Sequence, residues 1–349
     1  MGGAGFVGSH VVDRLLAEGH TVDVVDDLST GSLSNLAMAR AEHIGSLKFH
    51  NIDVRQPELA DLLGRLRPDV AIHLALPSSG PPARVLSTAL GGTANLLDAA
   101  VTAGTTKVVV GLDAVAYYGA VPLRELPIKE GTLGTPWSSA TIAQRAVADL
   151  LALYREQHAL EYTALALGSV YGTRQRAAGG VVAAFVAARQ AGRPAEVYGT
   201  GKQTRDFVAV DDAVDALVRA TTRGTGLVVN VGTGVQTSVA ALHQQVLGVP
   251  LEAAVRGPAR DGDVDRFALS PVRARIHLAW APWTDLDTGI GQLLAELAAS
   301  TPPEPPASTE PPAPEPSGGE LVDGVAGADD AALHDAGVDP PQMELPTDG

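Results

Sequence analysis

The stretch GGAGFVGSH at residues 2–10 decides the fold, because it sets Gly2, Gly5 and Gly8 in a GxxGxxG spacing directly ahead of a helical pattern. Such a turn lets backbone N–H groups close on a pyrophosphate. The helix N-terminus adds about half a positive charge, and a Cβ at the glycines would hold the ligand off. Phe6 and Val7 fall between the second and third glycines, in the part of the turn that faces a bound dinucleotide. Asp26 ends the next β-branched run, 18 residues after Gly8, with Asp27 beside it. A carboxylate there accepts hydrogen bonds from the adenosine ribose hydroxyls and repels a 2′-phosphate, so the reading is NAD rather than NADP.

Outward from this turn, short β-branched runs alternate with longer helical patterns. Residues 22–26, 47–51, 70–74, 107–111 and 162–167 read as strands, and 9–18, 57–66, 84–103 and 137–158 read as helices. This is the pattern of a doubly wound, Rossmann-type α/β fold with a parallel sheet, over about residues 1–170. One element of the pattern is missing. Only Met1 precedes Gly2, where a central strand should lead into the turn, so the first strand is expected to be truncated. Beyond residue 170, helical stretches near 179–191, 211–222, 238–247 and 285–298 alternate with Gly- and Pro-rich extended pieces. They read as a smaller substrate lobe over 171–300, with some elements interleaved with the first domain.

Composition narrows the function. The 349 residues contain no cysteine, which excludes disulfides, thiolate metal sites and cysteine nucleophiles. The net charge of −15 is a property of the end of the chain, since residues 301–349 hold 11 Asp or Glu, 11 prolines and no Lys or Arg. The first 300 residues are then nearly balanced, at 29 acidic against 25 basic. The tail reads as disordered, either a solvated end or a tether that docks a partner protein. No apolar stretch approaches about 18 residues and no leader pattern opens the chain, so the expectation is a cytoplasmic protein with no membrane and no nucleic-acid partner. The nine histidines are scattered, and no metal is expected.

Several further stretches resemble one known family. VVDDLSTG (24–31), NIDV (51–54), PDVAIHLAL (68–76), YGTGKQTRDFVAVDD (198–212) and NVGTG (230–234) occur in the order found in the extended short-chain dehydrogenases. Within that group, the chain is most similar to the NAD-dependent nucleotide-sugar epimerases and dehydratases typified by UDP-glucose 4-epimerase. The resemblance implies that Asp53 and Val54 contact the adenine and that Ala75 lies beside the cofactor. It also implies that Arg205, Arg260 and Asp263 bind the diphosphate and ribose of a nucleoside-diphosphate sugar. Guanidinium groups suit that task because their paired donors match phosphate oxygens. Without a ligand in view, Arg205 could equally pair with Asp206 or Asp211, and Arg260 could be a surface loop residue. Helices 84–103 and 137–158 resemble the pair that forms a homodimer interface in this family.

The catalytic centre departs from the family pattern. A Ser or Thr after the fifth strand, and a Tyr four residues before a Lys on the next helix, are expected by resemblance; here the aligned positions are Ala114, Ala140 and Gln144. Ala89, Ala166 and Ser169 replace residues that orient the sugar. The formal YxxxK at Tyr198 and Lys202 has loop spacers and lacks the helical i, i+4 geometry. Asp113, next to Ala114 at a strand end, is the candidate replacement base, unless it caps a local turn. Two functional classes follow: a binding protein that keeps NAD and nucleotide-sugar recognition without epimerase chemistry, or an epimerase or dehydratase using Asp113.

Overall fold

The computed structural model describes residues 1–260 and 263–300; the acidic Pro-rich tail lies outside the described residues. Its first elements are helix α1 (Phe6–Ala17), strands β1 (Val22–Asp26) and β2 (Leu47–Asn51), helix α2 (Glu58–Leu66) and strand β3 (Val70–His73). Then come helix α3 (Gly92–Ala103), strand β4 (Lys107–Asp113), the long helix α4 (Ser139–His158) and strand β5 (Glu161–Leu167). β1 pairs with β2, and β3, β4 and β5 pair in that order, all in parallel. A later strand, β6 (Leu227–Val231), returns to lie parallel on the far side of β5. Helix α5 (Val210–Ala220), just ahead of β6 in the chain, packs on α1. These two elements belong to the first layer although they lie past residue 170.

Apolar residues explain the layers. Val108, Val110, Ala164 and Ala166 look to one face of the sheet and pack with Leu96, Leu97, Val147 and Leu151 of α3 and α4. Val109, Leu165, Val229 and Val231 look to the other and pack with Val11 of α1 and Val214 and Leu217 of α5. Alternation along each strand sends successive side chains to opposite faces, so a strand buried on both sides must be apolar throughout. A separate small core joins Phe185, Val197, Phe207, Leu242 and Ile290.

The helix read over 84–103 is interrupted. Pro82–Leu86 and α3 are joined by a wider π-type turn at Ser87–Gly91. Such turns accommodate one extra residue in a helical path. The path continues so close to the strand–helix loop that a Cβ on Gly92 would stand 2.4 Å from Val54 Cγ2.

The parallel sheet falls into two pieces at the expected central strand. β2 and β1 form one piece, and β3, β4, β5 and β6 the other. With the gap counted as the first strand, the order is that of a doubly wound dinucleotide fold. Met1 and Gly2 are what spans the gap. The Met1 amino group donates to the Ile72 carbonyl at 2.7 Å, Leu74 N–H donates to the Met1 carbonyl at 3.0 Å, and Gly2 N–H donates to the Val25 carbonyl at 2.9 Å. These are the bonds of a central parallel strand only two residues long.

A pH dependence follows from His73 on β3. Burial lowers its imidazole from 6.5 to about 3. A group whose folded pKa lies below its unfolded value contributes stability above the unfolded pKa and loses it as pH falls through the folded one. Stability should therefore fall as the pH drops below 6.5. Urea unfolding at about pH 7 and about pH 5 measures the effect, and equal stability at the two would refute it.

Candidate functional site

Backbone crowding at the glycine turn explains its composition. Gly2 has φ +77°, and its Cβ position would meet the Ala75 amide and the Leu74 carbonyl carbon at 3.0 Å. At Gly8 a Cβ would stand 2.0 Å from the Gly2 carbonyl oxygen, so the first turn of α1 can cross the loop only with glycine there. Gly5 is the N-cap of α1 and supplies no side-chain cap. The N-terminal amides of the helix are thereby left open to a ligand, as anion binding requires.

Asp26 is 7% exposed and its carboxylate is already engaged. It accepts from Ala4 N–H at 2.9 Å and from Leu28 N–H at 2.8 Å, one bond on each oxygen. Each oxygen keeps a free lone pair, and the residue lines the cleft. Asp27 is exposed and accepts from the Ser29 N–H and hydroxyl at 2.9 and 2.6 Å. Asp53 is held by Arg55, whose guanidinium keeps the carboxyl below its ordinary value. Asn95, which sequence reading passed over, fastens this loop by donating to the Val54 and Gln56 carbonyls at 2.7 and 2.9 Å.

A cleft of about 960 Å³ runs from this turn across the C-terminal ends of the strands. Its lining includes Gly2, Gly5, Phe6, Val7, Gly8, Asp26, Asp27, Asp53, Val54 and Ala75. The same lining includes Asp113, Arg205, Arg260 and Asp263. The fold therefore brings together on one surface residues separated by up to 261 positions in the chain. A segment over residues 172–180 crosses the cleft and is fastened to α1: Arg174 pairs with Asp13 at 2.7 Å, and His10 Nε2 meets the Thr173 hydroxyl at 3.1 Å.

Arg205 pairs with Asp263 rather than with Asp206 or Asp211, and it also donates to the Val264 carbonyl at 2.6 Å. Asp206 is fully buried and occupied elsewhere, receiving N–H bonds from Thr233, Gly234 and Leu269 at 2.8–3.0 Å. Arg260 lies over the Tyr198 ring, 3.9 Å from its centroid, a favourable cation–π contact. Tyr198 thus lines the cleft as an aromatic wall, its hydroxyl donating to Glu196 at 2.9 Å. Its formal YxxxK partner, Lys202, is not among the lining residues. Nothing in the local pattern marks Tyr198 as a wall; its partner Arg260 is 62 residues away.

Ala114, Ala140 and Gln144 are all buried, and none of them lines the cleft. The Gln144 side-chain oxygen accepts from Asp113 N–H at 2.8 Å, and its amide nitrogen has no partner. Asp113 does cap a local turn: its carboxylate accepts from Ala116 N–H at 3.1 Å at the start of the short helix Ala114–Tyr118. It also lines the cleft, beside Ser78, and burial raises its carboxyl above the ordinary range. Ser169 lines the cleft, whereas Ala89 and Ala166 are buried. Among the described residues no helix is long and apolar enough to cross a membrane.

An open parallel sheet with a glycine turn at its centre, and a cleft across the C-terminal ends of its strands, defines the class of dinucleotide-binding folds. The chain belongs to the NAD dependent epimerase/dehydratase family, whose model matches residues 1–232. NAD, the cofactor read from Asp26, is the one this family uses. The chain is 40% identical to the UDP-glucose 4-epimerase of Mycolicibacterium smegmatis over 303 residues, covering 83% of this chain and 95% of the relative. It is 31% identical to UDP-glucuronic acid decarboxylase 1 of Xenopus tropicalis over 310 residues, or 84% of this chain and 70% of the relative. The UDP-glucose 4-epimerase of Thermotoga maritima, solved with UDP-glucose, superposes with a TM-score of 0.79 at 32% identity, over 85% of this chain and 97% of that one.

Proposed function

We propose that the protein binds NAD and a nucleoside-diphosphate sugar in one cleft and has lost the ordinary epimerase chemistry of its family. The observation that carries this reading is the division of the cleft. The glycine turn and Asp26 stand at one end and Arg205 and Arg260 at the other. Between them, the positions expected to move the sugar hydroxyl proton are buried Ala114, Ala140 and Gln144. An alanine methyl group cannot exchange a proton, and a glutamine amide carries no charge with which to tune a neighbouring hydroxyl.

Within this reading, Gly2, Gly5, Phe6, Val7 and Gly8 cradle the cofactor pyrophosphate, Asp26 holds the ribose, and Asp53, Val54 and Ala75 border the adenine and nicotinamide ends. NAD supplies a hydride acceptor when bound. Arg205, Arg260 and Asp263 hold the diphosphate and ribose of the nucleotide sugar. Releasing and identifying the nucleotides that copurify with the protein tests both assignments directly. Calorimetry adds a residue-level check: Asp26→Ala should weaken NAD binding by about tenfold or more, the worth of one or two bonds to a charged acceptor. Failure to detect NAD binding to the unaltered protein at millimolar concentration would overturn the cofactor assignment.

A second reading is supported by Asp113, which faces the cleft with a carboxyl raised by burial, as a general base requires. In that case the protein is an epimerase or dehydratase with a replacement acid/base. We also propose a homodimer through α3 and α4. Ile142 and Leu153 on α4 are 57% and 42% exposed, and Tyr154 bonds Asp98 between the two helices at 2.6 Å, which fixes the pair as one surface. Sedimentation equilibrium tests the dimer.

A further inference from the structure

We propose that Asp113 selects the sugar, so that the cleft accepts a nucleoside-diphosphate hexose that is uncharged and rejects one bearing a carboxylate, such as a uronic acid. This inference rests on the nucleotide-sugar reading and deepens it. Family membership leaves the choice open, because the relatives include proteins named for UDP-glucose and for UDP-glucuronic acid.

The argument is one of position and charge. If the diphosphate lies on Arg205 and Arg260, a sugar that reaches toward the strand ends must pass Ser78, Ser79, Asp113, Val115 and Ser169, all of which line the cleft there. Four of these five side chains are uncharged and the fifth is a carboxylate. Burial is the largest influence on this carboxyl and raises it, while the backbone bond from Ala116, a bond from the Ser78 hydroxyl and the charge of Arg205 pull the other way. Three of the four arginines that line the cleft are engaged. Arg205 is paired with Asp263 and Arg260 is stacked on Tyr198, and both face the diphosphate charge as well. At the far end Arg55 is paired with Asp53, and Arg84 lies near enough to act on the same carboxylate. A sugar carboxylate placed beside Asp113 would therefore put two carboxyl groups in one poorly hydrated corner, where both cannot ionise without cost, and the cation that acts on Asp113, Arg205, is already paired with Asp263. Hydroxyl groups at the same place find Asp113 and three serine hydroxyls as partners, because a carboxylate accepts and a serine can donate or accept.

Calorimetry on the NAD-loaded protein at pH 8 separates the possibilities with three ligands: UDP, UDP-glucose and UDP-glucuronate. The expected result is that UDP-glucose binds at least as well as UDP, while UDP-glucuronate binds about tenfold or more weakly than UDP-glucose. In Asp113→Asn, which keeps a capping side chain, the ratio of the two sugar-nucleotide constants should fall to within about threefold of one. A ratio is read because it is insensitive to any loss of folded protein, and a thermal melt of the variant confirms that it is folded. If UDP binds but UDP-glucuronate matches or exceeds UDP-glucose, the selection is wrong while the nucleotide-sugar reading stands. If the discrimination survives unchanged in Asp113→Asn, Asp113 is not its source and the proposal falls. If UDP itself fails to bind, the nucleotide-sugar reading falls and takes this inference with it.

Discussion

Purified free of host epimerase and loaded with NAD, the protein is expected to convert UDP-glucose to UDP-galactose far more slowly than about 1 s⁻¹, the lower end of the usual enzyme range. One positioned acid/base group is worth on the order of 10² to 10⁴ in rate. On the proposed reading, the positions of the hydroxyl partner, the acid/base and the cation that tunes it hold Ala114, Ala140 and Gln144. Turnover at about 1 s⁻¹ or faster would overturn the reading of lost chemistry. Loss of such turnover in Asp113→Asn would then identify the replacement base. The reverse experiment, Ala114→Ser with Ala140→Tyr and Gln144→Lys, meets an obstacle in the packing. Ala140 is 1% exposed and Gln144 is fully buried, so the new tyrosine has to displace core side chains, at about 1–3 kcal/mol for overpacking. The repaired protein should melt lower, and gain activity only as far as the tyrosine reaches the cleft.

Fusing about six apolar, β-branched residues ahead of Met1 is expected to raise the melting temperature by about 5 °C or more, the scale of several kcal/mol in a domain of this size. The slot between β1 and β3 already receives Met1 and Gly2 with bonds to Ile72, Leu74 and Val25, so an added segment enters in parallel register with both neighbours. Each further residue can pair a backbone group on one flanking strand and bury its side chain against one of the two helical layers. Each such bond contributes about 0.5–1.5 kcal/mol. The extension also removes the ammonium from the slot, which burial penalises. Differential scanning calorimetry of the two proteins decides the matter. Equal melting temperatures would mean that the slot does not take a strand.

Local chemistry made the glycine turn legible. Gly5 and Gly8 are dictated by close approaches to Gly2 within the same turn, and Asp26 ends a strand whose β-branched residues announce it. The parallel sheet was legible for the same reason: a strand buried on both faces, such as Lys107–Asp113, carries an almost continuous apolar run.

Tertiary structure alone decided the rest, since each remaining contact joins residues distant in the chain. The partner of Arg205 is Asp263, 58 positions on, and not the adjacent Asp206, whose carboxylate the fold turns inward to three backbone N–H groups. Tyr198 becomes a wall of the cleft through Arg260, and residues 172–180 are tied to α1 through Asp13 and His10. β6 joins β5 although 59 residues separate their ends. The sequence determined which residue types were present and which local turns they make. Whether Asp113 is only a cap or also lines the cleft depended on β4, the loop at Ser78 and Arg205 converging there, because a side chain's surroundings are set by packing between segments and not by its neighbours in the chain.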